Sequence, residues 1–266
     1  MIPFVIERSR SSLIAITALM TSLVFVLTVV FQVSIVATKG YFNVGEIGVF
    51  LSALLFGPYV GAFAGGVGSA LADLATGYAI YAPGTLVIKG CEGYLTGWAI
   101  QKLTRRPEGA VEARFSPVIG MAIAAVIITL GVSFYNSLWS IALGIYINPS
   151  NAPVPILDIR FFAFDILLTE VVWVGIAVTA GVLITYFGYR KDPLLTAMII
   201  STLLGGTVMV MGYFIYEYFV LYKVLGMEVI AIVEVPFNIG QAVIGTLIAV
   251  PIARRISIAL VQSGKT

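Results

Sequence analysis

The chain has 266 residues, of which 60% are hydrophobic and 11% charged, and its formal net charge is +2. Soluble domains are roughly 45 to 50% apolar, so this composition predicts an integral membrane protein. The net charge is too small to indicate a nucleic-acid partner. Apolar runs at or near the roughly 20 residues that cross a bilayer recur along the chain, which favours a single bundle of membrane helices over a barrel.

Two residue types that carry much of enzyme chemistry are scarce or missing. The chain has no His, which excludes His-dependent catalytic triads and zinc sites of the HExxH kind. Its single cysteine, Cys91, excludes an intramolecular disulfide and makes a cysteine metal cluster implausible. The carboxylates also lack a clear nucleophile and base pair. We therefore predict no catalytic residue, no metal site and no cofactor.

The first predicted helix spans about Ser11 to Val36, and its apolar run is too long for a signal peptide, so we interpret it as retained. Ser11, Ala15, Ala18 and Ser22 share one face of it. Small residues on one face are typical of packing inside a bundle and equally of a docking face for another membrane subunit. The spacing alone leaves both interpretations open.

Polar breaks divide the rest of the chain into further helices, eight segments in total. The predicted bounds are Val44 to Phe56, Tyr59 to Gly77, Pro83 to Leu103, Pro117 to Tyr146, Arg160 to Tyr189, the break at 190–193 to Tyr222, and Met227 to Ile258. Gly61, Gly65 and Gly68 leave one helix face nearly bare. There is no complete GxGxxG and no preceding strand, so this face predicts close helix packing and not a nucleotide loop.

The distribution of Lys and Arg predicts the orientation. Threading these segments back and forth places eleven basic residues on one side and three, Lys39, Arg160 and Lys223, on the other, with Lys89 inside the membrane. The positive-inside rule then predicts that both termini are cytoplasmic.

Ionisable residues on four predicted helices fall at a common depth. Asp73, Lys89, Glu217 and Glu234 all lie roughly 6 to 11 Å below the outer surface at about 1.5 Å per residue. A charge at the membrane centre costs roughly 2.5 to 3.5 kcal/mol, so these groups are expected to face each other, water or a ligand.

Two interpretations of this layer follow. One is a structural salt-bridge network, with Lys89 paired to Glu92 or to Asp73. The other is an outward-opening polar pocket, which we favour because Tyr81, Tyr213, Asn238 and Gln241 add hydrogen-bond groups that charge pairing does not require. The inner halves of most helices carry no matching acidic ladder, so no polar path crosses the membrane.

Three stretches then resemble a known family. The run NVGEIGVFLSALLFGPYVGAFAGGVGSALADLATGYAIYAPGTLVIKGCEGYLTGW resembles the second to fourth helices of the substrate-binding S components of energy-coupling factor (ECF) vitamin transporters. GYFIYEYF and EVPFNIGQAVIGTLIAVPIARRI look like that family's fifth and sixth helices. The family's first helix carries an AxxxA motif, whose matching positions here are Ala18 and Ser22, and its gate loop corresponds to Thr38 to Asn43.

The resemblance implies a six-helix subunit in a prokaryotic cell membrane. It would bind a vitamin-like solute from outside and contact membrane lipid, a transmembrane coupling subunit and two cytoplasmic ATPase subunits. The chain departs from the family at 106–192, interpreted as an inserted two-helix hairpin between core segments 11–105 and 193–258. The role of this hairpin, the roles of its acids Asp165 and Glu170, and the identity of the vitamin all stay open. By default, the two acids are expected to face the bundle interior.

The leading hypothesis is thus an all-α polytopic membrane bundle that binds a micronutrient and is not itself an enzyme. Lys89 would pair an anionic substrate group or a neighbouring carboxylate, while Glu217 and Glu234 would accept hydrogen bonds from ring nitrogens or amines. A structural membrane scaffold without a small-molecule substrate is the alternative. The predicted substrate-binding residues are Asn43, Tyr81, Lys89, Tyr213, Glu217, Glu234, Asn238 and Gln241, and the predicted partner interface is Ala15, Ala18 and Ser22.

Overall fold

A computed structural model describes residues 9–35, 40–104, 137–147, 157–168, 170–189 and 193–262, together with 118, 120–121, 124–125 and 128–129. Its helices are α1 (Arg10–Val30), α2 (Glu46–Phe56), α3 (Pro58–Thr76), α4 (Ala82–Thr104), α5 (Glu170–Tyr189), α6 (Pro193–Ile215) and α7 (Ala231–Gln262). Its strands are β1 (Phe31–Ile35), β2 (Gly40–Asn43), β3 (Ser137–Ile147) and β4 (Leu157–Leu168). The predicted helical membrane bundle is confirmed.

Local sequence explains where the central helices begin and end. Gly57 adopts φ +88°, a conformation that suits glycine, and Pro58 follows as the first residue of α3. At the other end Gly77 takes the left-handed conformation, and its amide donates to the carbonyl of Asp73. The predicted bounds of α2, α3 and α4 agree with the structure to within two residues.

Three helical stretches are long and apolar enough to cross a membrane within the described ranges: Arg10–Val30, Leu194–Val224 and Ala231–Leu260. The main apolar core joins several of the helices through side chains that include Val24, Phe50, Ile100, Met198 and Ala249. These residues come from α1, α2, α4, α6 and α7, so the core ties the two ends of the chain into one bundle.

Glycines let α3 approach its neighbours closely, as their spacing predicted. A Cβ added to Gly61 would lie 2.7 Å from the carbonyl oxygen of Gly93, and one added to Gly65 would lie 2.8 Å from that of Lys89, both on α4. A Cβ on Gly68 would lie 2.8 Å from the Thr21 carbonyl oxygen on α1. The bare face is therefore a packing surface for two helices.

The first helix is shorter than predicted. It ends at Val30, and Phe31–Ile35 continues as strand β1, which pairs antiparallel with β2 and β3 in a sheet of order β2-β1-β3-β4. The apolar run itself hides this change, because a continuous apolar segment suits a buried strand as well as a helix.

The two long helices predicted at 117–146 and 160–189 are wrong over part of their length. Residues 137–147 and 157–168 form the antiparallel strands β3 and β4. In the range predicted at 117–146, residues such as 120–121 and 128–129 are helical. In the range predicted at 160–189, the described helix is α5. Aromatic and β-branched residues are frequent in both strands, which favours extended structure. Whether 106–192 is an insertion stays a prediction.

Two acids, Asp165 and Glu170, are predicted to face the bundle interior. The structure places one in a strand and the other at the start of a helix. Asp165 belongs to strand β4, where its backbone is opposite Ser140. Glu170 is the first residue of α5 and is exposed, so the interior placement is wrong for it. An acidic residue in the first turn of a helix is favourable because it faces the positive end of the helix dipole.

The chain's last two helices also differ from their predicted bounds. Tyr216–Val224 continues α6 as a π-helix, and π-helical segments are frequent at functional sites. The last helix begins at Ala231 instead of Met227. Glu234 therefore lies in its first turn, closer to the helix end than the sequence-based depth implied.

Candidate functional site

A polar cavity of about 400 Å³, counted to its open mouth, lies within the helical bundle. Side chains or backbone from α1, β2, α3, α4, α6, α7 and the turn before α4 form its wall. The lining residues are Thr28, Gly40, Tyr41, Asn43, Ser69, Asp73, Tyr81, Thr85, Lys89, Tyr213, Glu234, Asn238 and Gln241.

Seven of the eight predicted substrate-binding residues lie in this wall: Asn43, Tyr81, Lys89, Tyr213, Glu234, Asn238 and Gln241. The eighth, Glu217, belongs to the π-helical segment, is 0% exposed and does not line the cavity. A π-helix advances the chain by more residues per turn than an α-helix, so positions counted at α-helical spacing lose their register there.

Amide groups build one side of the pocket. The Gln241 side chain accepts a hydrogen bond from the Asn43 backbone amide at 3.2 Å and donates to Asn238 Oδ1 at 3.0 Å. The Asn43 side chain in turn accepts from the Gly45 amide at 2.8 Å. Asn238 Nδ2 has no hydrogen-bond partner among the described residues, although Asn238 is only 2% exposed. A buried donor without a partner is costly, so this group is available to a ligand or water.

A tyrosine and an aspartate build another side. The Tyr41 hydroxyl donates to Asp73 Oδ1 at 2.6 Å. Burial raises the pKa of the Tyr41 phenol well above its usual range, and the Asp73 carboxylate raises it further, so this hydroxyl keeps its proton. The second carboxylate oxygen, Asp73 Oδ2, has no hydrogen-bond partner in the described part of the chain. The Thr85 hydroxyl is a second polar neighbour of this carboxyl group in the pocket wall.

Lys89 is the only Lys or Arg among the described residues that line the pocket, and its partners are side chains of α2, α4 and α6. The Lys89 ammonium donates to Glu46 Oε1, lies 3.2 Å from Glu92 Oε2, and donates to Met209 Sδ at 2.7 Å. The sequence left open whether Lys89 pairs with Glu92, with Asp73 or with a ligand. The structure shows the contact with Glu92, while Asp73 accepts from Tyr41.

The sequence gives no indication that Glu46 is a partner of Lys89. The two residues are 43 positions apart and lie on different helices. Helical spacing relates residues three or four positions apart, so it indicates Glu92 but carries no signal for Glu46.

The predicted partner interface lies on the outside of α1. Ser11, Ala15, Ala18 and Ser22 are all exposed, and the flanking Leu19 is 68% exposed. Within the described part of the chain, these small residues therefore do not pack inside the bundle. The gate loop predicted at Thr38 to Asn43 is described from Gly40 onward, where Gly40, Tyr41 and Asn43 line the cavity, while residues 36–39 lie outside the described residues.

Comparisons with known proteins agree with this architecture. The family model described as "ECF-type riboflavin transporter, S component" matches residues 9–154 and 158–257. The chain is also 43% identical, over 132 residues, to an "Uncharacterized protein in gap 3'region" of Pyrococcus woesei, an alignment that covers 47% of this chain and 88% of that protein. No solved structure matches the chain. Since the family model spans most of the chain, this multi-pass membrane protein belongs to the S-component family of ECF-type riboflavin transporters.

Proposed function

We propose that this protein captures riboflavin or a related micronutrient from outside the cell with high affinity. It does so as the substrate-specific subunit of an ATP-driven ECF transporter. A transmembrane coupling subunit and two cytoplasmic ATPase subunits complete that transporter, in a prokaryotic cell membrane with both termini of this chain cytoplasmic. The observation that carries the proposal is the buried polar pocket in a chain of the S-component family.

The residues that bind the solute are the polar members of the pocket wall. Asn238 Nδ2 is a buried donor without a hydrogen-bond partner among the described residues. Leaving such groups unpaired costs about 1 to 3 kcal/mol each, and a ligand that pairs them recovers that free energy. Glu217 is removed from direct contact in this proposal, because it lies behind the wall.

Substituting Asn238 tests the pocket. We expect Asn238→Ala to weaken riboflavin binding by about 5- to 30-fold, corresponding to the loss of one hydrogen bond of about 1 to 2 kcal/mol. The measurement is a titration of purified protein followed by quenching of flavin fluorescence.

The matched control is Thr246→Val, which removes a buried hydroxyl from the same helix outside the cavity wall. It should bind riboflavin as the wild type does. An Asn238→Ala protein that is folded and binds with wild-type affinity would remove Asn238 from the site.

The exposed small face of α1 supports assembly with the coupling subunit. A bulky residue there would hold the two helix backbones apart. We expect Ser22→Leu to abolish co-purification with coupling and ATPase subunits co-expressed from the same source, while riboflavin binding by the isolated protein is unchanged. Affinity purification followed by mass spectrometry of the subunits measures this.

Thr207→Leu provides the control for Ser22→Leu. Both hydroxyls are exposed on a helix and donate to the carbonyl four residues earlier, at 3.0 Å for Ser22 and 2.8 Å for Thr207. The two substitutions thus change local helix energetics alike. Equal loss of the partners in both variants would argue against a specific interface on α1.

A further inference from the structure

We propose that one side of the bundle, formed by α3, α4 and the π-helical segment that continues α6, is a lipid-anchoring face. It binds phospholipid headgroups at both of its ends, through Lys102 in one leaflet and through Lys223 in the other. Anchoring of this kind does not depend on the proposed uptake of a micronutrient.

Exposed aromatic side chains are confined to this side of the described chain. On α3 and α4 they are Tyr59, Phe63, Tyr94 and Trp98, and on the π-helical segment they are Tyr218, Phe219 and Tyr222. The large side chains exposed on α1 and α7 are aliphatic, as at Leu19 and Ile248. Trp and Tyr are enriched at membrane–water interfaces, because one end of each side chain is apolar and the other polar. This side therefore carries the residues that fix a helix at the membrane surface.

At one end of this face, aromatic rings are combined with Lys102. Its ammonium lies 5.8 Å from the centroid of the Trp98 ring, one turn away on α4. Tyr94, a further turn along α4, contacts Tyr59 of α3 edge to face, with ring centroids 5.9 Å apart. An ammonium held over such a ring pairs well with a headgroup phosphate, while the lysine stem and the ring lie against the acyl chain.

The π-helical segment repeats this combination around Lys223. The Lys223 ammonium lies 5.7 Å from the centroid of the Tyr218 ring and 5.0 Å from that of Tyr222. Tyr218 packs against Tyr222, with centroids 6.0 Å apart, and edge to face against Phe219, with centroids 5.0 Å apart. All four residues are exposed, so the rings and the ammonium form one surface cluster that a lipid headgroup can reach.

Contacts between α4 and α6 fix the positions of the two clusters along the bundle. A Cβ added to Gly84, near the start of α4, would lie 2.8 Å from the Tyr216 ring. One added to Gly212, a turn before Tyr216, would lie 2.9 Å from Ile88, a turn after Gly84. The two helices therefore run antiparallel, and the π-helical segment lies beside the start of α4.

The two clusters are separated by about the thickness of a bilayer. By the same antiparallel offset, Tyr218 is level with Ala82, the first residue of α4. The roughly 20 residues from Ala82 to Lys102 span about 30 Å at 1.5 Å per residue, and the hydrocarbon core of a bilayer is also about 30 Å thick. Large apolar side chains are exposed between the clusters, among them Leu86, Val87, Leu204, Met211 and Ile215. An apolar band bounded by two aromatic and basic clusters is the pattern of a surface that faces lipid.

Quenching of Trp98 fluorescence by brominated lipids tests this face. Full-length protein with Trp139→Phe and Trp173→Phe keeps Trp98 as its only indole and is reconstituted in phosphatidylcholine vesicles. The bromines lie either near the headgroup or near the end of the acyl chain. We expect the shallow bromines to quench at least about twofold more strongly, because Trp98 lies at the interface. Stronger quenching by the deep bromines, or none by either lipid, would overturn the lipid contact.

Two further measurements keep this test decisive. The difference in quenching between wild type and Trp98→Phe isolates the same indole, even where the double variant does not fold. Co-reconstitution with coupling and ATPase subunits then examines a protein occupant. Quenching that persists in that complex supports lipid as the occupant. Protection of Trp98 from the bromines there would make this face a protein interface and overturn the proposal.

Substituting the two lysines tests headgroup binding. Phosphatidylglycerol in mixed micelles is titrated onto the full-length protein, and the lipid retained is counted by native mass spectrometry. Lys102→Gln and Lys223→Gln should each weaken retention about fivefold, the effect of one Lys near an anionic lipid surface. Arg255→Gln removes an exposed cation from α7 and should leave retention unchanged. No loss in a lysine variant, or an equal loss in Arg255→Gln, would overturn headgroup binding at the two clusters.

Discussion

Lys89→Met is expected to lower the free energy of unfolding by about 3 to 5 kcal/mol, the cost of breaking a buried ion pair on one side. The substitution keeps most of the side-chain volume but removes the positive charge between Glu46 and Glu92. Both acids are almost fully buried, at 1% and 0% exposure, so neither can recover its hydration without opening the bundle. Unfolding of the purified protein in mixed detergent micelles, followed by circular dichroism, measures the change.

Two further variants serve as controls for Lys89→Met. Lys102→Met removes an exposed cation whose described contact is a 5.8 Å approach to the Trp98 ring, and it should change stability by less than about 1 kcal/mol. The triple variant with Glu46→Gln and Glu92→Gln should recover more than half of the loss, because no unpaired charge is left. Wild-type stability of Lys89→Met would show that the ion cluster is not structural.

Gly93→Ala is expected to destabilise the protein by about 1 to 3 kcal/mol through overpacking between α3 and α4. The added Cβ would collide with the backbone of Gly61, and backbone atoms cannot move aside as a side chain can. The same unfolding measurement applies. A large loss would confirm that the glycine face of α3 is a helix contact.

Gly90→Ala is the matched control on the same helix. A Cβ there would meet its nearest neighbour, the Ala62 carbonyl oxygen, at 3.7 Å, which is ordinary contact. Since alanine is a better helix former than glycine by about 1 kcal/mol, Gly90→Ala should be neutral or stabilising. Identical behaviour of the two variants would refute the argument from close backbone approach.

Much of the candidate site could be predicted because buried polar groups are rare in membrane helices. Polar side chains in apolar runs are costly, and this cost made Asp73, Lys89, Glu234, Asn238 and Gln241 conspicuous. Their depth along each helix then indicated that they meet. The structure brings them to one cavity wall, and their role in binding remains the proposal to be tested.

Which of these groups pair with each other was beyond the sequence. Tyr41 contacts Asp73, 32 positions away, and Lys89 contacts Glu46, 43 positions away. Both contacts depend on how the helices and strands pack against each other. Lys89 was expected to be available to an anionic ligand as one possibility. The structure instead places its ammonium between the carboxylates of Glu46 and Glu92.

The segments at 137–147 and 157–168 show a different limit. Both are largely apolar, and the alternation of apolar and polar residues that favours a strand is confined to the start of the second, Leu157 to Phe161. The extended structure depends on pairing: β3 pairs with β4 along its whole length, and with β1 at the pairs Phe31 with Leu143 and Gln32 with Ala142. Pairing between separate segments leaves no periodic pattern within either one.

The sequence by itself determined the membrane class, the helical bundle, the main helix bounds of the core and the family resemblance that the family match confirmed. These follow from local properties, namely hydrophobic run length, turn residues and motif order. Only the tertiary structure decided that Glu46 holds Lys89, that Glu217 lies behind the wall and that the small face of α1 is exposed. Those features depend on contacts and exclusions between distant segments, which no local pattern specifies.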